Sequence, residues 1–132
     1  METKDYLRIL SGWDKDYKEA ILDKMFRFYF ENPLSFVVTN TIAKQQFINE
    51  PVYYEQICRL TNHKFGSRST IQLLLNDGVA IKVYHKTNHN TDRRLRVYNI
   101  HQNFMPKLIK LLINIDKIFF RFLLMLYQIL FH

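Results

Sequence analysis

The chain has 132 residues and a net charge of +7, and 48% of its residues are hydrophobic. This apolar content excludes a disordered chain, and the length suits one domain with one core. The only three glycines, at positions 12, 66 and 78, exclude the glycine-rich loops of common nucleotide-binding enzymes. One cysteine, Cys58, excludes an intrachain disulfide. The charged N-terminus METKDYLRIL lacks the apolar stretch of a secretory signal, so we expect a reducing, cytoplasmic location.

Helical patterns fill the first half of the chain. The spacing of apolar residues predicts helices over 2–10, from 14 or 16 to 30, over 34–48 and over 52–62. The breaks between them are expected at Ser11-Gly12, Asn32-Pro33 and Asn49-Glu50-Pro51. In the last of these helices Tyr53, Ile57 and Leu60 share one face. Four helices in series predict a mainly helical first half.

A second short helix follows the turn 63–66, where Gly66 is expected to supply a positive φ. Ser67 or Ser69 offers its N-cap, and Asn76-Asp77-Gly78 is a strong stop signal. Its inward residues are expected to be Ile71, Leu74 and Leu75. Two helices joined by a short turn indicate a helix-turn-helix.

A basic hairpin is predicted directly after this helix. Residues 79–84 alternate as a strand, 85–92 have the polar composition of a loop, and the return strand runs from about 95 to 100. Helix, turn, helix and hairpin in this order predict a winged helix-turn-helix.

The last 32 residues predict one long helix, with Asn103 as N-cap and Pro106 in its first turn. An apolar seam with heptad spacing is expected to pair with a second copy: Leu108, Leu112, Ile115, Phe119, Phe122, Leu126 and Ile129. The fold class is therefore mainly α with a small β-hairpin (α+β), in a single domain over 1–132. Residues 34–100 would form its winged helix-turn-helix core, while 1–33 and 101–132 would form helical dimerisation regions.

Positive charge is concentrated between Arg59 and Arg96, where eight basic residues meet two acidic ones. Duplex DNA attracts such a segment because each neutralised phosphate releases counterions. The recognition helix would read bases in the major groove, and the basic wing would contact the minor groove or the backbone. The expected DNA-binding residues are Lys64, Ser67, Arg68, Ser69, Thr70, Gln72, Lys86, His89, Asn90, Arg93, Arg94 and Arg96.

The sequence S-R-S-T before an apolar helix, then D-G-V and a loop closing on D-R-R-L-R-V-Y-N-I, resembles the MarR-type winged helix family. The resemblance covers roughly residues 34–100 by motif and the whole chain by element order. It implies that Asp92 and Arg94 stabilise the wing, and that a cytoplasmic, nucleoid-associated homodimer regulates transcription by binding palindromic operator DNA. The family's usual threonine after the last wing strand is His101 in this chain.

Several alternatives stay open. The winged helix could serve a non-specific architectural or replication protein, and the basic hairpin could be an ordinary solvated loop. His85 and His89 have weak metal-ligand spacing, so we expect no metal or other cofactor. Cys58 is expected to be a buried structural thiol rather than a redox sensor. The aromatic clusters leave room for a small aromatic effector at a dimer interface.

Two further classes are disfavoured. Charged residues within 111–131 argue against stable membrane insertion of the last helix. A hydrolytic enzyme has no supporting motif, such as a nucleophile elbow, a metal-binding helix or clustered carboxylates. We therefore expect a protein that is not an enzyme.

Overall fold

The computed structural model describes residues 2–131, apart from the side chains of residues 118, 119, 121 and 122. Within that range the chain forms six helices and three strands: α1 (Thr3–Ala20), α2 (Lys24–Phe30), α3 (Pro33–Phe47), β1 (Val52–Tyr53), α4 (Tyr54–Leu60), α5 (Arg68–Ala80), β2 (Tyr84–Asn88), β3 (Arg96–Ile100) and α6 (Met105–Phe131). The strands form one antiparallel sheet in the order β1-β3-β2. This architecture confirms the predicted α+β class.

Helix α1 corrects the first predicted break, because it runs unbroken through Ser11-Gly12. A glycine inside an exposed helix costs only about 1 kcal/mol relative to alanine, and α1 tolerates that cost. The chain turns instead at residues 21–23, where the Asp23 carboxylate accepts the Met25 N–H at 2.8 Å and caps α2. Asp23 also forms an ion pair with Lys107, which ties the start of α2 to α6.

Helix α3 agrees with its predicted bounds to within a residue. Asn32 caps it by accepting the Ser35 N–H at 2.9 Å, and Pro33 occupies its first turn. Its end is a Schellman motif, in which Asn49 has a φ of 59° and the Glu50 N–H bonds to the Gln45 carbonyl at 2.8 Å. The expected break at 49–51 is confirmed.

The predicted helix from Val52 begins two residues late. Val52 and Tyr53 form β1, because their backbones pair with Tyr98 and Val97 of β3. Helix α4 then ends at Leu60, whose side chain is 49% exposed rather than on the inward face with Ile57. Gly66, in the following turn, does not adopt a positive φ. A Cβ there would lie 2.8 Å from Leu34 Cδ2, so any other residue at position 66 would require the buried Leu34 side chain to shift.

Helix α5 overrides the predicted stop at Asn76-Asp77-Gly78 and continues to Ala80. Gly78 is inside the helix because the ring of Tyr84 packs directly against it, so that an added Cβ would overlap the ring. The helix ends instead in a second Schellman motif, where Lys82 has a φ of 65° and the Val83 N–H bonds to the Gly78 carbonyl at 2.8 Å. Residues 79–83 are therefore the end of a helix and its cap, and of the predicted strand 79–84 only Tyr84 is in a strand, as the first residue of β2.

The hairpin consequently lies later in the chain than predicted. Its strands pair Tyr84 with Ile100 and Asn88 with Arg96, and the tip is formed by residues 89–95. The predicted loop 85–92 is thus half strand. A Gln46 side chain on α3 accepts the Ile100 N–H at 2.6 Å and fixes the base of the hairpin to the helical core.

One core lies between α3, the sheet, α5 and the start of α6. Its buried members include Val38 and Ile42 of α3, Ile71, Leu74 and Leu75 of α5, and Tyr84, Phe104 and Leu108. The prediction that Ile71, Leu74 and Leu75 face inward is confirmed. Tyr84 shares a hydrogen bond of 2.6 Å with Thr39, so its buried hydroxyl is satisfied.

Helices α1 and α6 differ from the core. None of the described residues of α1 is buried. In α6, Leu108 alone is buried among the described side chains, although the helix has 27 residues. A helix of that length extends about 40 Å at 1.5 Å per residue. Among the described residues, no helix combines the length and the apolar character needed to cross a membrane.

Candidate nucleic-acid interface

The outward face of α5 follows from the packing of its other side. With Ile71, Leu74 and Leu75 in the core, helical spacing leaves Ser69, Gln72, Leu73 and Asn76 facing away from it. Leu73 is 65% exposed. The Gln72 amide donates to the Asn76 side-chain oxygen at 3.1 Å. This face therefore presents amide and hydroxyl groups around one exposed apolar side chain.

Leu73 and Asn76 were not among the predicted site residues. The signal that identifies them is spacing, because Leu73 lies four residues after Ser69, and Asn76 lies four after Gln72. The predicted helix stop at Asn76-Asp77-Gly78 places Asn76 outside the helix, and this is why the sequence prediction does not include it in the candidate face.

The first turn of α5 is organised by Ser67, which confirms one of the two predicted N-caps. Its hydroxyl oxygen accepts the Thr70 N–H at 3.3 Å. The same oxygen lies 3.1 Å from the Ser69 hydroxyl and 2.9 Å from that of Thr70. Three hydroxyl groups thus cluster at the exposed start of α5. Lys64 is exposed in the turn before it.

Arg68, the first residue of α5, is held against α4. Its guanidinium forms an ion pair with Glu55 and lies over the ring of Tyr54, 5.4 Å from the centroid. The Tyr54 hydroxyl donates to the Arg68 carbonyl at 2.9 Å. The sequence offered no signal for this cluster, because it depends on how α4 and α5 cross.

The tip of the hairpin is built on His89 and Asp92. The backbone N–H of His89 donates to the Leu95 carbonyl at 3.0 Å, and the His89 ring Nδ1 accepts the backbone N–H groups of Thr91 and Asp92 at 3.2 and 3.1 Å. His89 is half-buried, so its ring shapes the tip. We call residues 84–100 the wing.

Asp92 closes the other side of the tip. Its carboxylate accepts the backbone N–H of Arg94 at 3.0 Å and the Arg94 side-chain Nε–H at 3.2 Å. These hydrogen bonds from Arg94 hold the pKa of the Asp92 carboxyl below its ordinary value. The Arg94 side chain nevertheless stays 90% exposed.

The basic side chains of the wing are on its surface. Arg93 and Asn90 are exposed, and Arg96 donates to the Arg93 carbonyl at 2.9 Å. Lys86 lies 5.8 Å from the centre of the Tyr98 ring. The wing therefore presents four cationic groups: Lys86, Arg93, Arg94 and Arg96.

Histidine and cysteine positions do not form a metal centre in the part of the chain that the structure describes, where no group of three potential ligands comes together. His85 faces His101 instead, with ring centres 5.7 Å apart. Cys58 is half-buried rather than buried, in a cleft of about 500 Å³ between α4 and α5 that Arg59 and Arg68 also line. The expectation that the Cys58 thiol is buried is corrected, because the cleft between α4 and α5 leaves it partly open.

The predicted seam on α6 divides into two parts. Leu108 is 1% exposed and belongs to the core of its own chain, whereas Leu112 and Ile115 are 42% and 52% exposed. Ile129 is also exposed and Leu126 is half-buried. The side chains of Phe119 and Phe122 lie outside the described residues.

Helix α1 adds a second exposed apolar surface that the predicted seam did not include. Five of its large apolar side chains are about half exposed or more: Tyr6, Leu7, Leu10, Trp13 and Tyr17. Helices α1 and α6, which we call the projecting helices, thus both have apolar side chains that the core does not cover.

No family model and no curated protein matches the sequence. Among solved structures, the chain is similar to the transcriptional regulator Tm0710 from Thermotoga maritima, with a TM-score of 0.54 and 17% identity over 92% of this chain and 79% of that one. It is also similar to ZitR from Lactococcus lactis in its apo form, with a TM-score of 0.51 and 9% identity over 95% of this chain and 81% of that one. At such low identity the similarity concerns the fold alone, and it confirms the predicted winged helix-turn-helix fold.

Proposed function

We propose that this chain, which has the fold of MarR-type winged-helix regulators, is a sequence-specific regulator of transcription that binds double-stranded DNA as a homodimer. The observation that carries the proposal is the arrangement of α5 and the wing. One small domain combines the polar outward face of α5 with a wing that has four cationic side chains on its surface.

Helix α5 has the side chains that a base-reading helix needs. Amide groups such as those of Gln72 and Asn76 match the paired donor and acceptor of adenine in the major groove, and an arginine such as Arg68 matches guanine. Leu73 would contact a thymine methyl group. The hydroxyl groups of Ser67, Ser69 and Thr70 at the helix start suit phosphate or base-edge contacts. Lys64, in the preceding turn, would meet the backbone.

The wing would chiefly supply charge and position. Arginine side chains bind phosphates and enter narrow minor grooves, and the exposed Arg93, Arg94 and Arg96 are placed on one hairpin to do so. Lys86 and Asn90 would add backbone contacts. His89 would act mainly through the shape of the tip, because its Nδ1 is already bonded within it.

The homodimer is supported by the two projecting helices. Monomeric proteins rarely expose large contiguous apolar patches, and such patches mark interfaces. Leu112, Ile115, Leu126 and Ile129 would pair with a second copy, together with Phe119, Phe122 and the apolar side of α1. Leu108 would support this surface from within the core. A twofold dimer would place two copies of α5 on the half-sites of a palindrome.

Selection of bound duplexes from a random pool tests the proposal. We expect a palindrome whose half-site centres lie about one helical turn apart, and affinity that falls steeply with salt. Light scattering should give twice the monomer mass of 16.1 kDa. Equal affinity for unrelated duplexes would favour a non-specific architectural protein instead, and the absence of duplex binding would refute the proposal.

Two variants separate charge from reading. Arg94→Ala should weaken binding to all duplexes alike, whereas Gln72→Ala should change the preference between duplexes. Lys15→Ala removes an exposed positive charge from α1 and is the matched control. It should change neither the preference nor the affinity by more than about twofold, since it removes no groove or phosphate contact. A loss in the control equal to that in Arg94→Ala would show that net charge alone governs binding.

A further inference from the structure

Arg68 is positioned in α5 to read a base, but two residues of α4 already hold it. Its guanidinium bonds through Nη2 to the Glu55 carboxylate and lies over the Tyr54 ring. The side chains of Arg68 and Glu55 remain 60% and 59% exposed. The cluster is thus at the surface, beside the start of α5, where bound DNA would lie.

A guanidinium has five N–H donors, and the contact with Glu55 uses one N–H group of the terminal nitrogen Nη2. The remaining donors stay available for the two acceptors of a guanine. Holding the group in advance also reduces the rotamer entropy that a free arginine would lose on binding. Glu55 and Tyr54 therefore orient Arg68 without saturating it.

The same carboxylate works against phosphate binding. A phosphate that approaches Arg68 meets the negative charge of Glu55, whereas the edge of a guanine is uncharged. Specific interfaces use such repulsive elements against the wrong partner as well as attraction to the right one. An unpaired arginine in this place would bind any phosphate and so strengthen binding to every duplex.

The geometry points to Glu55 as a specificity-determining residue, which positions Arg68 for guanine and prevents it from binding phosphate. This inference rests on the proposed DNA-binding function. Glu55 itself need not touch a base, so it acts through Arg68 as a positioning residue.

Glu55→Gln tests the inference, because glutamine keeps the size and an acceptor while it removes the charge. We expect binding to a scrambled duplex to tighten about threefold, and the ratio of selected to scrambled affinity to fall about tenfold. The slope of log affinity against log salt for the scrambled duplex should steepen by about one, because Arg68 then neutralises one more phosphate. Glu50→Gln removes an exposed negative charge just before β1 and should change none of these quantities.

A double-mutant cycle with Arg68→Ala tests whether Glu55 acts through Arg68 or only through its own negative charge near the DNA. Arg68→Ala alone should lower the affinity ratio, and adding Glu55→Gln to it should lower the ratio no further. A steeper salt slope would not follow from a purely structural role of Glu55. Circular dichroism verifies the fold of each variant, and the Arg68→Ala arm still tests the inference if Glu55→Gln fails to fold.

The outcomes distinguish this inference from the proposed function. Selective binding by the native chain, with an unchanged ratio and slope in Glu55→Gln, would overturn the inference and leave the function intact. An unchanged ratio in Arg68→Ala would overturn it as well. Failure of the native chain to bind any duplex would refute the function itself.

Discussion

The core and the projecting helices are built from similar residues but are covered differently. Helix α3 has Val38 and Ile42 fully buried, whereas the apolar side chains of α1 and of α6 beyond Leu108 are exposed or half-exposed wherever they are described. Burial of apolar surface is the main stabilising term in folding. The core is therefore stabilised within one chain, while the described apolar side chains of α1 and of α6 beyond Leu108 gain little of this stabilisation from their own chain.

This difference teaches how to read an apolar stripe. Helical spacing marks a face that will be buried, but it does not tell whether the cover belongs to the same chain. The seam on α6 illustrates this, because Leu108 is covered within its own chain, whereas Leu112, one turn later on the same stripe, is 42% exposed.

The largest expected effect on stability comes from substituting the buried and the exposed residues of that seam separately. Leu108→Ala should lower the free energy of unfolding by about 3 kcal/mol, because it leaves a cavity in the core. Leu112→Ala should have a much smaller effect on folding and should instead raise the concentration at which the proposed dimer dissociates by about tenfold. Urea denaturation and light scattering over a range of protein concentrations measure the two effects. Equal, concentration-independent losses in both variants would contradict the division.

A pair of glycines gives the next effect. Gly78→Ala gains about 1 kcal/mol of helix propensity but forces a methyl group into the Tyr84 ring, which overpacking data place at about 3 kcal/mol. We expect a net loss of about 2 kcal/mol. Gly12→Ala, in exposed α1 with no atom within 4 Å of the added Cβ, should gain up to about 1 kcal/mol. The urea midpoints should shift in opposite directions, and a gain at position 78 would show that the ring yields.

The smallest effect concerns the joint between the two regions, where His101 leads from β3 into α6. Its Nδ1 accepts the Asn103 N–H at 2.9 Å, and its carbonyl accepts the Phe104 N–H at 2.9 Å. Partial burial, followed by the nearby His85 and Lys82, lowers the pKa of His101 below its ordinary value of 6.5. As the pH falls through 6.5, the unfolded chain therefore binds more protons at this histidine than the folded chain does.

Folding should thus weaken as the pH falls below about 6.5, and the loss is complete below the folded pKa of His101. Thermal melts at about pH 7.5 and about pH 5.5 measure it, with the difference between native chain and His101→Asn isolating this group. Asparagine keeps a neutral cap. His63→Asn, at an exposed histidine in the turn before α5, is the control. A pH response in His101→Asn equal to that of the native chain would contradict the prediction.

Local signals explain most of what the sequence predicted correctly. Asn32-Pro33, Ser67 and the apolar spacing of α5 act over a few residues, so the starts of α3 and α5 and the inward face of α5 follow from them. The long last helix and the hairpin were likewise expected, and the fold class followed from their order.

Tertiary contacts explain the failures. Asn76-Asp77-Gly78 reads as a stop, but the distant ring of Tyr84 requires a glycine inside the helix. Val52 is a strand because β3 pairs with it from 46 residues away. The Arg68–Glu55–Tyr54 cluster arises where two helices cross. None of these contacts leaves a periodic or local signature in the sequence.

The packing of α5 against Tyr84 also affects how the sequence of the outward face of α5 could vary between related chains. The ring lies against the one position of α5 without a side chain, and its hydroxyl is bonded to Thr39 of α3. Rolling the helix by the roughly 100° that separates neighbouring residues would bring a side chain into the ring. The contact between Gly78 and the Tyr84 ring thus fixes the rotation of α5 about its own axis from the core side of the helix. Residues at the front, such as Gln72 and Leu73, can be exchanged while the direction in which they are displayed stays the same.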